Sequence, residues 1–227
     1  MDPLTAKTAQ VAQILEEVMG IPPRDNPLPP LETLILTILS QNTNDRNRDR
    51  AFQNLKKAFP TWEAAAETGP EAVEEAIRVG GLARIKAQRI VRLLRDLRED
   101  SGHMTLEGLD RLPVEEAEKR LLSISGVGKK TARCVLLFEM GLPAFPADTH
   151  ILRVTRRLGW IPQRVSADRA HDILQSIVPP ESMHSLHVNL IELGRTVCRP
   201  KHPRCPDCPI QPWCRYGGGA WAPADED

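Results

Sequence analysis

The sequence predicts an all-α fold, and three of its features support that prediction. Ala, Leu, Arg and Glu, all strong helix formers, are abundant, whereas aromatic residues make up only 4% of the 227 residues. Apolar residues recur at intervals of three and four, the spacing of one helix face, and alternating apolar and polar segments are scarce. An apolar fraction of 41% is sufficient for a buried core, so we expect a globular helical protein.

The first predicted helix covers residues 4–19, where apolar side chains at helical spacing form one face and Gly20 provides a stop. Residues 21–30 contain five prolines and are expected to form an ordered linker. Residues 31–39 are apolar on nearly all sides, which indicates a buried helix. The polar residues 40–45 are expected to form a cap and turn after it.

The next segments are predicted to be helical as well. A helix with one apolar and one basic side is followed by a short helix from Pro70 through Val79, which ends at Gly80 and Gly81. A long helix then follows Leu82. A row of basic side chains on it is predicted to face solvent: Arg84, Lys86, Arg89, Arg92, Arg95 and Arg98. Further helices are predicted over residues 114–122, 129–140, 149–158, 166–177 and 182–194.

A glycine-containing turn lies between two of these helices. Gly126 and Gly128 flank a valine, and Lys129 and Lys130 begin the helix that follows. Consecutive backbone N–H groups at such a turn point outward at the positive end of a helix dipole, where a phosphate binds readily. A Gly-Val-Gly sequence alone is equally compatible with a plain turn. The lysine pair, and Asp148 eighteen residues after Lys130, favour phosphate binding.

Four of the five cysteines lie within seventeen residues: Cys198, Cys205, Cys208 and Cys214. The prolines between them exclude a helix and favour a loop wrapped around a compact centre. Because disulfides are rare in reducing compartments, we expect a metal site. A [4Fe–4S] cluster tolerates uneven gaps between cysteines, whereas zinc usually takes two close pairs. The spacing therefore favours iron–sulfur, with zinc as the alternative, and Cys134 is expected to be a buried apolar residue.

The formal net charge of the chain is zero, so a nucleic-acid surface would require basic residues to be segregated. Residues 195–215 hold five basic residues and one acidic residue, a net charge of +4, and can bind a phosphate backbone. The N-terminal segment lacks the apolar core of a signal peptide, and no run of 18 apolar residues occurs. We expect a cytoplasmic, nucleoid-associated protein with no membrane partner.

The glycine turn at 126–132, the Asp148-Thr149-His150 segment and the cysteine spacing together resemble the endonuclease III branch of the helix–hairpin–helix DNA glycosylases. The resemblance extends from about Leu31 to Cys214. It implies a DNA-binding cleft between two helical domains. Residues 26–141 would form a six-helix domain with the hairpin, and residues 1–25 with 142–227 would form the iron–sulfur cluster domain.

This resemblance also implies an activity and a partner. The protein would be a monomeric, bifunctional DNA glycosylase and AP lyase of base excision repair. Its substrate would be double-stranded DNA carrying a damaged base or an abasic site. It would excise oxidised pyrimidines such as thymine glycol and would cleave the strand by β-elimination.

Two residues match the catalytic positions of that family, Lys130 as the nucleophile and Asp148 as the essential aspartate. A lysine must be neutral to attack the sugar C1′, but with a pKa of about 10.4 only roughly one in 2,500 is neutral at pH 7. The helix dipole and Lys129 are expected to lower the pKa of Lys130. Asp148 is a good N-cap and could also stabilise positive charge on the sugar or accept a proton.

DNA contacts follow from the same resemblance. A nucleotide flipped out of the duplex leaves a gap, which Gln41 or Asn42 would fill while Leu82 acts as a wedge. The order Ser-Gln-Asn-Thr departs from the usual Ser-Ala-Gln-Thr and leaves both candidates open. A second departure is Ser125, which replaces a common proline in the hairpin. The remaining expected contacts are Gly126, Gly128, Lys129 and His150.

Two other function classes remain open from the sequence. A monofunctional adenine-mismatch glycosylase would have a glutamate where Thr37 stands, no lysine at the Lys130 position and an additional C-terminal domain. A non-catalytic helix–hairpin–helix module would bind DNA without cleaving it at an abasic site. The Gly-rich, acidic segment 217–227 has no evident role.

Overall fold

The computed structural model describes residues 2–24 and 28–218, and the regular structure in this part of the chain is entirely helical. No strand is present among these residues, so the predicted all-α class is confirmed. None of the described helices combines the length and the apolarity needed to cross a membrane. The acidic end of the predicted tail, residues 219–227, lies outside the described residues.

In chain order, the α-helices are α1 (Pro3–Met19), α2 (Pro30–Ser40), α3 (Asp45–Ala58), α4 (Trp62–Thr68), α5 (Pro70–Ile77), α6 (Ala83–Ser101), α7 (Val114–Ser123), α8 (Lys129–Cys134), α9 (Thr149–Leu158), α10 (Ala167–Ile177) and α11 (Met183–Thr196). Single 3₁₀ turns occur at Arg78–Gly80, Leu109–Arg111, Pro180–Ser182, Cys205–Asp207 and Gln211–Trp213. The helices form two compact units, which are Asn26–Met140, and Met1–Asp25 together with Gly141–Asp227.

Helix α2 is the centre of the Asn26–Met140 unit. It packs against α3, α6 and α8, and its Leu34, Ile35 and Leu39 are fully buried. The apolar run that predicted a buried helix is therefore in the core. Because α2 lies in the core, the polar turn after Ser40 has a fixed starting point.

Two helical segments differ from the sequence prediction. Helix α4 was not predicted, because its seven residues are too few to show a 3.6-residue period. Thr61 caps it by accepting a hydrogen bond from the N–H of Ala64. The predicted helix 129–140 is α-helical only to Cys134 and continues as a wider π turn over Val135–Glu139.

The other unit is built around α11, which packs against α1 and α9. Gly194 of α11 lies directly against α9, since a Cβ at this position would come within 2.9 Å of the Cβ of His150. Only glycine permits this close approach. The chain after α11 forms the cysteine loop, so α9 and α11 place that loop and His150 in one unit.

Candidate functional site

Helices α7 and α8 form the predicted hairpin. Gly126 has φ +85°, a left-handed conformation that favours glycine, and the buried Val127 donates its N–H to the carbonyl of Ile124 at 3.1 Å. No side chain among the described residues caps the start of α8. The glycine turn thus leads directly into the N-terminus of α8, the kind of position at which backbone N–H groups bind anions.

A buried ion pair joins the two helices of the hairpin. Arg133 of α8 donates Nε to Oε1 of Glu118 on α7 at 2.6 Å, and only 3% of Arg133 is exposed. A second, longer bond runs from its Nη2 to Oε2 of Glu118 at 3.3 Å. The two hydrogen bonds from the forked guanidinium hold α7 and α8 against each other in a defined orientation. This pair was not predicted, because no local sequence pattern relates two residues that are 15 positions apart.

Lys129 and Lys130 occupy the first turn of α8, and both are partly exposed. The position after the glycine turn places Lys130 at the helix N-terminus, as the sequence predicts. Lys130 lies in the Asn26–Met140 unit, whereas Asp148 and His150 belong to the other unit.

Asp148 is the N-cap of α9, and its Oδ1 accepts a hydrogen bond from the N–H of Ile151 at 2.8 Å. The carboxylate is only partly buried, although the segment that precedes it is buried. The cap therefore holds a partly exposed carboxylate in a defined orientation.

Two buried histidines hold the segment before Asp148. The N–H of Ala147 donates to Nε2 of His171 at 3.1 Å, and the carbonyl of Pro146 accepts from Nδ1 of His187 at 2.9 Å. Nδ1 of His171 donates in turn to a helix carbonyl, so its ring is in the neutral Nδ1–H tautomer. Neither histidine was predicted from the sequence, because no local pattern links it to this segment. They fix the backbone from which Asp148 extends.

His150 is oriented by a neighbouring arginine. Nη2 of Arg153 donates to Nδ1 of His150 at 3.1 Å and to the carbonyl of Gly194 at 2.7 Å. Because a guanidinium cannot accept a hydrogen bond, Nδ1 of His150 is the acceptor and its proton is on Nε2. The ring therefore carries its N–H donor on Nε2.

The turn after α2 contains both candidate gap-filling residues. Oε1 of Gln41 accepts from Nη1 of Arg89 at 2.6 Å, whereas Asn42 has φ +51°. Asparagine tolerates this left-handed conformation better than most residues. Cδ of Arg89 also lies 4.0 Å from the position that a Cβ on Gly126 would take. Arg89 thus brings the Gln41 turn and the hairpin together.

The candidate wedge is exposed. Leu82 precedes α6 with φ +48° and ψ +34°, and 52% of the residue is accessible to solvent. Ile85, one turn further along, is 48% exposed and extends the apolar surface. The sequence analysis did not single out Ile85.

The prediction that Lys86 faces solvent is wrong. Only 1% of this residue is exposed, and its Nζ donates to the carbonyl oxygens of Leu39 and Gly80, both at 2.8 Å. Burial lowers the pKa of Lys86 from its ordinary value. Arg95, from the same predicted row, donates Nε and Nη2 to the carbonyl of Ala66.

The four clustered cysteines line one cavity beside α9. Within residues 2–24 and 28–218, no three His, Cys, Asp or Glu side chains are grouped as one metal ion requires. The cavity is also lined by Arg157 and Tyr216, so the four thiols share it with a cation and an aromatic ring. Burial, followed by the neighbouring cysteines, raises the pKa of Cys208 to about 11, and burial raises the pKa of Cys214.

Arg157 of α9 holds this loop in place. Its Nη1 donates to Sγ of Cys198 at 3.2 Å and to the carbonyl of Arg199 at 2.8 Å. The ring of Tyr216 lies 4.7 Å from the guanidinium carbon, which is a cation–π contact. Arg157 therefore ties the start of the cysteine loop to α9 through both polar and cation–π contacts.

The helices of the described residues, the hairpin and the four-cysteine loop together define the class of helix–hairpin–helix proteins with a cysteine loop. Residues 35–180 match the family model of the HhH-GPD superfamily base excision DNA repair proteins. The chain belongs to this superfamily, since the match covers more than half of its length.

Individual relatives agree with this assignment. The chain is 36% identical over 189 residues to a putative DNA glycosylase of Arabidopsis thaliana, but these cover 79% of this chain and only 64% of that relative. It is 31% identical to endonuclease III of Thermotoga maritima, with 91% of this chain and 92% of the relative covered.

A solved structure of a trapped endonuclease III–DNA covalent intermediate has a TM-score of 0.76 and 29% identity, with 92% of this chain and 96% of that chain covered. The predicted resemblance to endonuclease III is confirmed. The prediction of an enzyme with the general base excision DNA glycosylase reaction of this group is confirmed as well.

Proposed function

We propose that this protein is a bifunctional DNA glycosylase and AP lyase that excises oxidised pyrimidines from duplex DNA through Lys130. The observation that carries the proposal is the position of Lys130 in the first turn of α8, directly after the glycine hairpin. There the N–H groups bind the strand and bring the amine to the sugar. A covalent complex with DNA is known for a 29% identical structural relative, which supports a covalent mechanism.

The proposed chemistry begins when the neutral Nζ of Lys130 attacks C1′ of the flipped nucleotide. The N-glycosidic bond breaks, and the base leaves with its electron pair and takes up a proton. Loss of a proton from Nζ and opening of the sugar ring give an imine. Removal of a C2′ proton then breaks the C3′–O bond by β-elimination, and water releases the lysine.

The proposed role of Asp148 is to stabilise positive charge on the sugar and to accept a proton from Lys130. The N-cap bond and the buried histidine contacts support this role, because they fix the direction of the carboxylate. His150, Lys129, Gly126 and Gly128 are proposed to bind the strand. Leu82 and the Gln41 turn are proposed to fill the space left by the flipped nucleotide.

Thr37 argues against a monofunctional adenine-mismatch glycosylase. It lies in α2, and its hydroxyl donates to the carbonyl of Thr33 at 2.8 Å. A threonine hydroxyl engaged in this way is not an acid at neutral pH, so it cannot replace the glutamate of that branch. The bifunctional mechanism therefore fits the residues present.

The four cysteines of the loop are proposed to hold a [4Fe–4S] cluster. All four line one cavity, and their uneven sequence spacing, with only one close pair, fits an iron–sulfur cluster better than zinc. A bound cluster would be bonded to the four cysteines and would thereby shape the loop. We propose that the unit with these cysteines is the cluster domain, that Asn26–Met140 is the hairpin domain, and that the protein acts as a monomer on DNA in the cytoplasm.

A trapping experiment tests the nucleophile. We expect wild-type protein to be captured covalently on duplexes carrying thymine glycol or an abasic site when borohydride is present, because borohydride reduces the imine. Lys130→Ala removes the amine and should abolish trapping, seen as loss of the slow band on a denaturing gel. Uracil-containing duplex serves to define the substrate range.

The neighbouring lysine supplies the matched control. Lys129→Ala should weaken DNA binding yet still be trapped, since it leaves the nucleophile in place. Persistent trapping of Lys130→Ala would assign the nucleophile elsewhere. Binding of wild-type protein without cleavage of an abasic duplex would instead support a non-catalytic DNA-binding module.

A further inference from the structure

Lys86 has no part in the mechanism above, yet it is among the largest fully buried side chains of the described residues. Taking an ammonium group out of water is costly unless hydrogen bonds replace its hydration. Two backbone carbonyls do so here, those of Leu39 and Gly80, each 2.8 Å from Nζ. Hydrogen bonds from a charged donor are stronger than those between neutral groups. The bonds from Lys86 therefore hold the Leu39 and Gly80 segments firmly.

The two carbonyls belong to segments that lead into the proposed DNA-contacting turns. Leu39 lies two residues before Gln41, and Gly80 lies two residues before Leu82. Helical side chains lean towards the N-terminus of their helix, so Lys86 in the first turn of α6 extends back beneath the Leu82 turn. One side chain therefore connects two turns that are distant in sequence.

Both turns contain a residue in an unfavourable backbone conformation. Leu82 has φ +48° and Asn42 has φ +51°, and left-handed conformations are costly for leucine in particular. Such a conformation persists only where the surrounding contacts hold it. The N–H of Lys86 also donates to the carbonyl of Leu82 at 3.1 Å, so the same residue fixes this turn through its backbone.

We propose that Lys86 is a positioning residue for nucleotide flipping, which locks the Leu82 wedge and the Gln41 turn into one rigid pair. Being buried, it does not touch DNA. It acts at the step in which both turns enter the duplex together, before the N-glycosidic bond is broken. This inference rests on the proposed function, because it assigns a step of the same reaction.

The test compares two duplexes under single-turnover conditions. One carries the damaged pyrimidine paired with a purine, and the other carries it in a mismatch, where flipping costs least. Lys86→Met should slow excision from the paired duplex by about 10- to 100-fold and from the mismatched duplex by less than about 3-fold. Lys86→Arg retains charged donors for the two carbonyls and should restore most of the rate on the paired duplex.

Arg95→Met is the matched control. Arg95 lies on the same helix and donates to a backbone carbonyl of the same unit, but that carbonyl belongs to Ala66, away from both turns. The excision rates of Arg95→Met on the two duplexes should stay within about 3-fold of wild type. Thermal unfolding of each variant shows whether it is folded. If Lys86→Met does not fold, Lys86→Gln, which keeps one amide donor, replaces it in the same comparison.

A double-mutant cycle with Leu82→Ala distinguishes positioning from general destabilisation. If Lys86 acts through the wedge, adding Lys86→Met to Leu82→Ala should slow paired-duplex excision no further than the slower single variant. The inference is overturned if the double variant slows excision by the product of the two single effects, or if Lys86→Met slows excision equally on both duplexes. The proposed function stands in either case. Wild-type protein that is inactive on every damaged duplex would instead reject the proposed function.

Discussion

At the scale of single residues, Asp148 combines a structural and a chemical role. Its Oδ1 caps α9, and two buried histidines hold the peptide segment before it. An N-cap needs only a hydrogen-bond acceptor, whereas stabilising a cationic sugar needs a negative charge. The two roles therefore respond differently when the charge alone is removed.

Asp148→Asn should leave stability within about 1 kcal/mol of wild type, because asparagine caps helices as well as aspartate does. Base excision should fall by about 100-fold or more, since the charge is lost. Thermal unfolding and single-turnover excision measure the two quantities. Asp2→Asn is the control, as Asp2 caps α1 in the same way through the N–H of Thr5 and should leave excision unchanged. An active Asp148→Asn variant would restrict Asp148 to capping.

At the scale of secondary-structure elements, the hairpin depends on more than its glycines. Gly126 makes the turn possible, but the ion pair between Arg133 and Glu118 holds α7 against α8. The Arg133 side chain is 4% exposed and that of Glu118 is 18% exposed. Removing the Glu118 carboxylate takes a bidentate partner away from a guanidinium held at this depth, which is destabilising.

Glu118→Ala should therefore destabilise the protein by about 2–4 kcal/mol, as measured by urea unfolding. The matched control is Glu75→Ala, which removes a glutamate from an exposed ion pair with Arg78. Because solvent screens exposed pairs, this change should cost less than about 0.5 kcal/mol. Equal effects of the two substitutions would show that the buried pair does not stabilise the hairpin.

At the scale of the whole molecule, a chain of zero net charge must bind DNA through local charge. Residues 195–215, with a net charge of +4, include all four clustered cysteines. Arg157 and Arg153 tie the start of this loop to α9 through the carbonyls of Cys198, Arg199 and Pro200. The proposed cluster would thus shape a basic stretch of its unit.

Cys208→Ser should remove the brown colour and visible absorbance expected of an iron–sulfur protein, and lower the iron-to-protein ratio. DNA affinity should then depend less steeply on salt concentration, because fewer phosphates are neutralised. Cys134→Ser is the control, since Cys134 lies on α8 outside the loop, and both properties should be retained. Wild-type protein with zinc and no iron would contradict the cluster assignment.

Much of the candidate site follows local patterns. The glycine hairpin, the N-cap at Asp148 and the cysteine loop all occur where the spacing predicts them. Helix α4 escaped prediction because it is too short to show a period. Lys86 was assigned to solvent because charged residues are rarely buried, and no nearby residue indicates its partners.

The sequence by itself determined the helical class, the hairpin and the candidate catalytic lysine and aspartate. Each of these features depends on residues within a few positions of one another, the range over which backbone hydrogen bonds and helix capping act. Only the tertiary structure decided that Lys86 is buried and that Arg89 holds Gln41. Lys86 and Leu39, like Arg89 and Gln41, are more than 40 residues apart along the chain. Only the folded packing of α2 against α6 brings those groups within hydrogen-bonding distance.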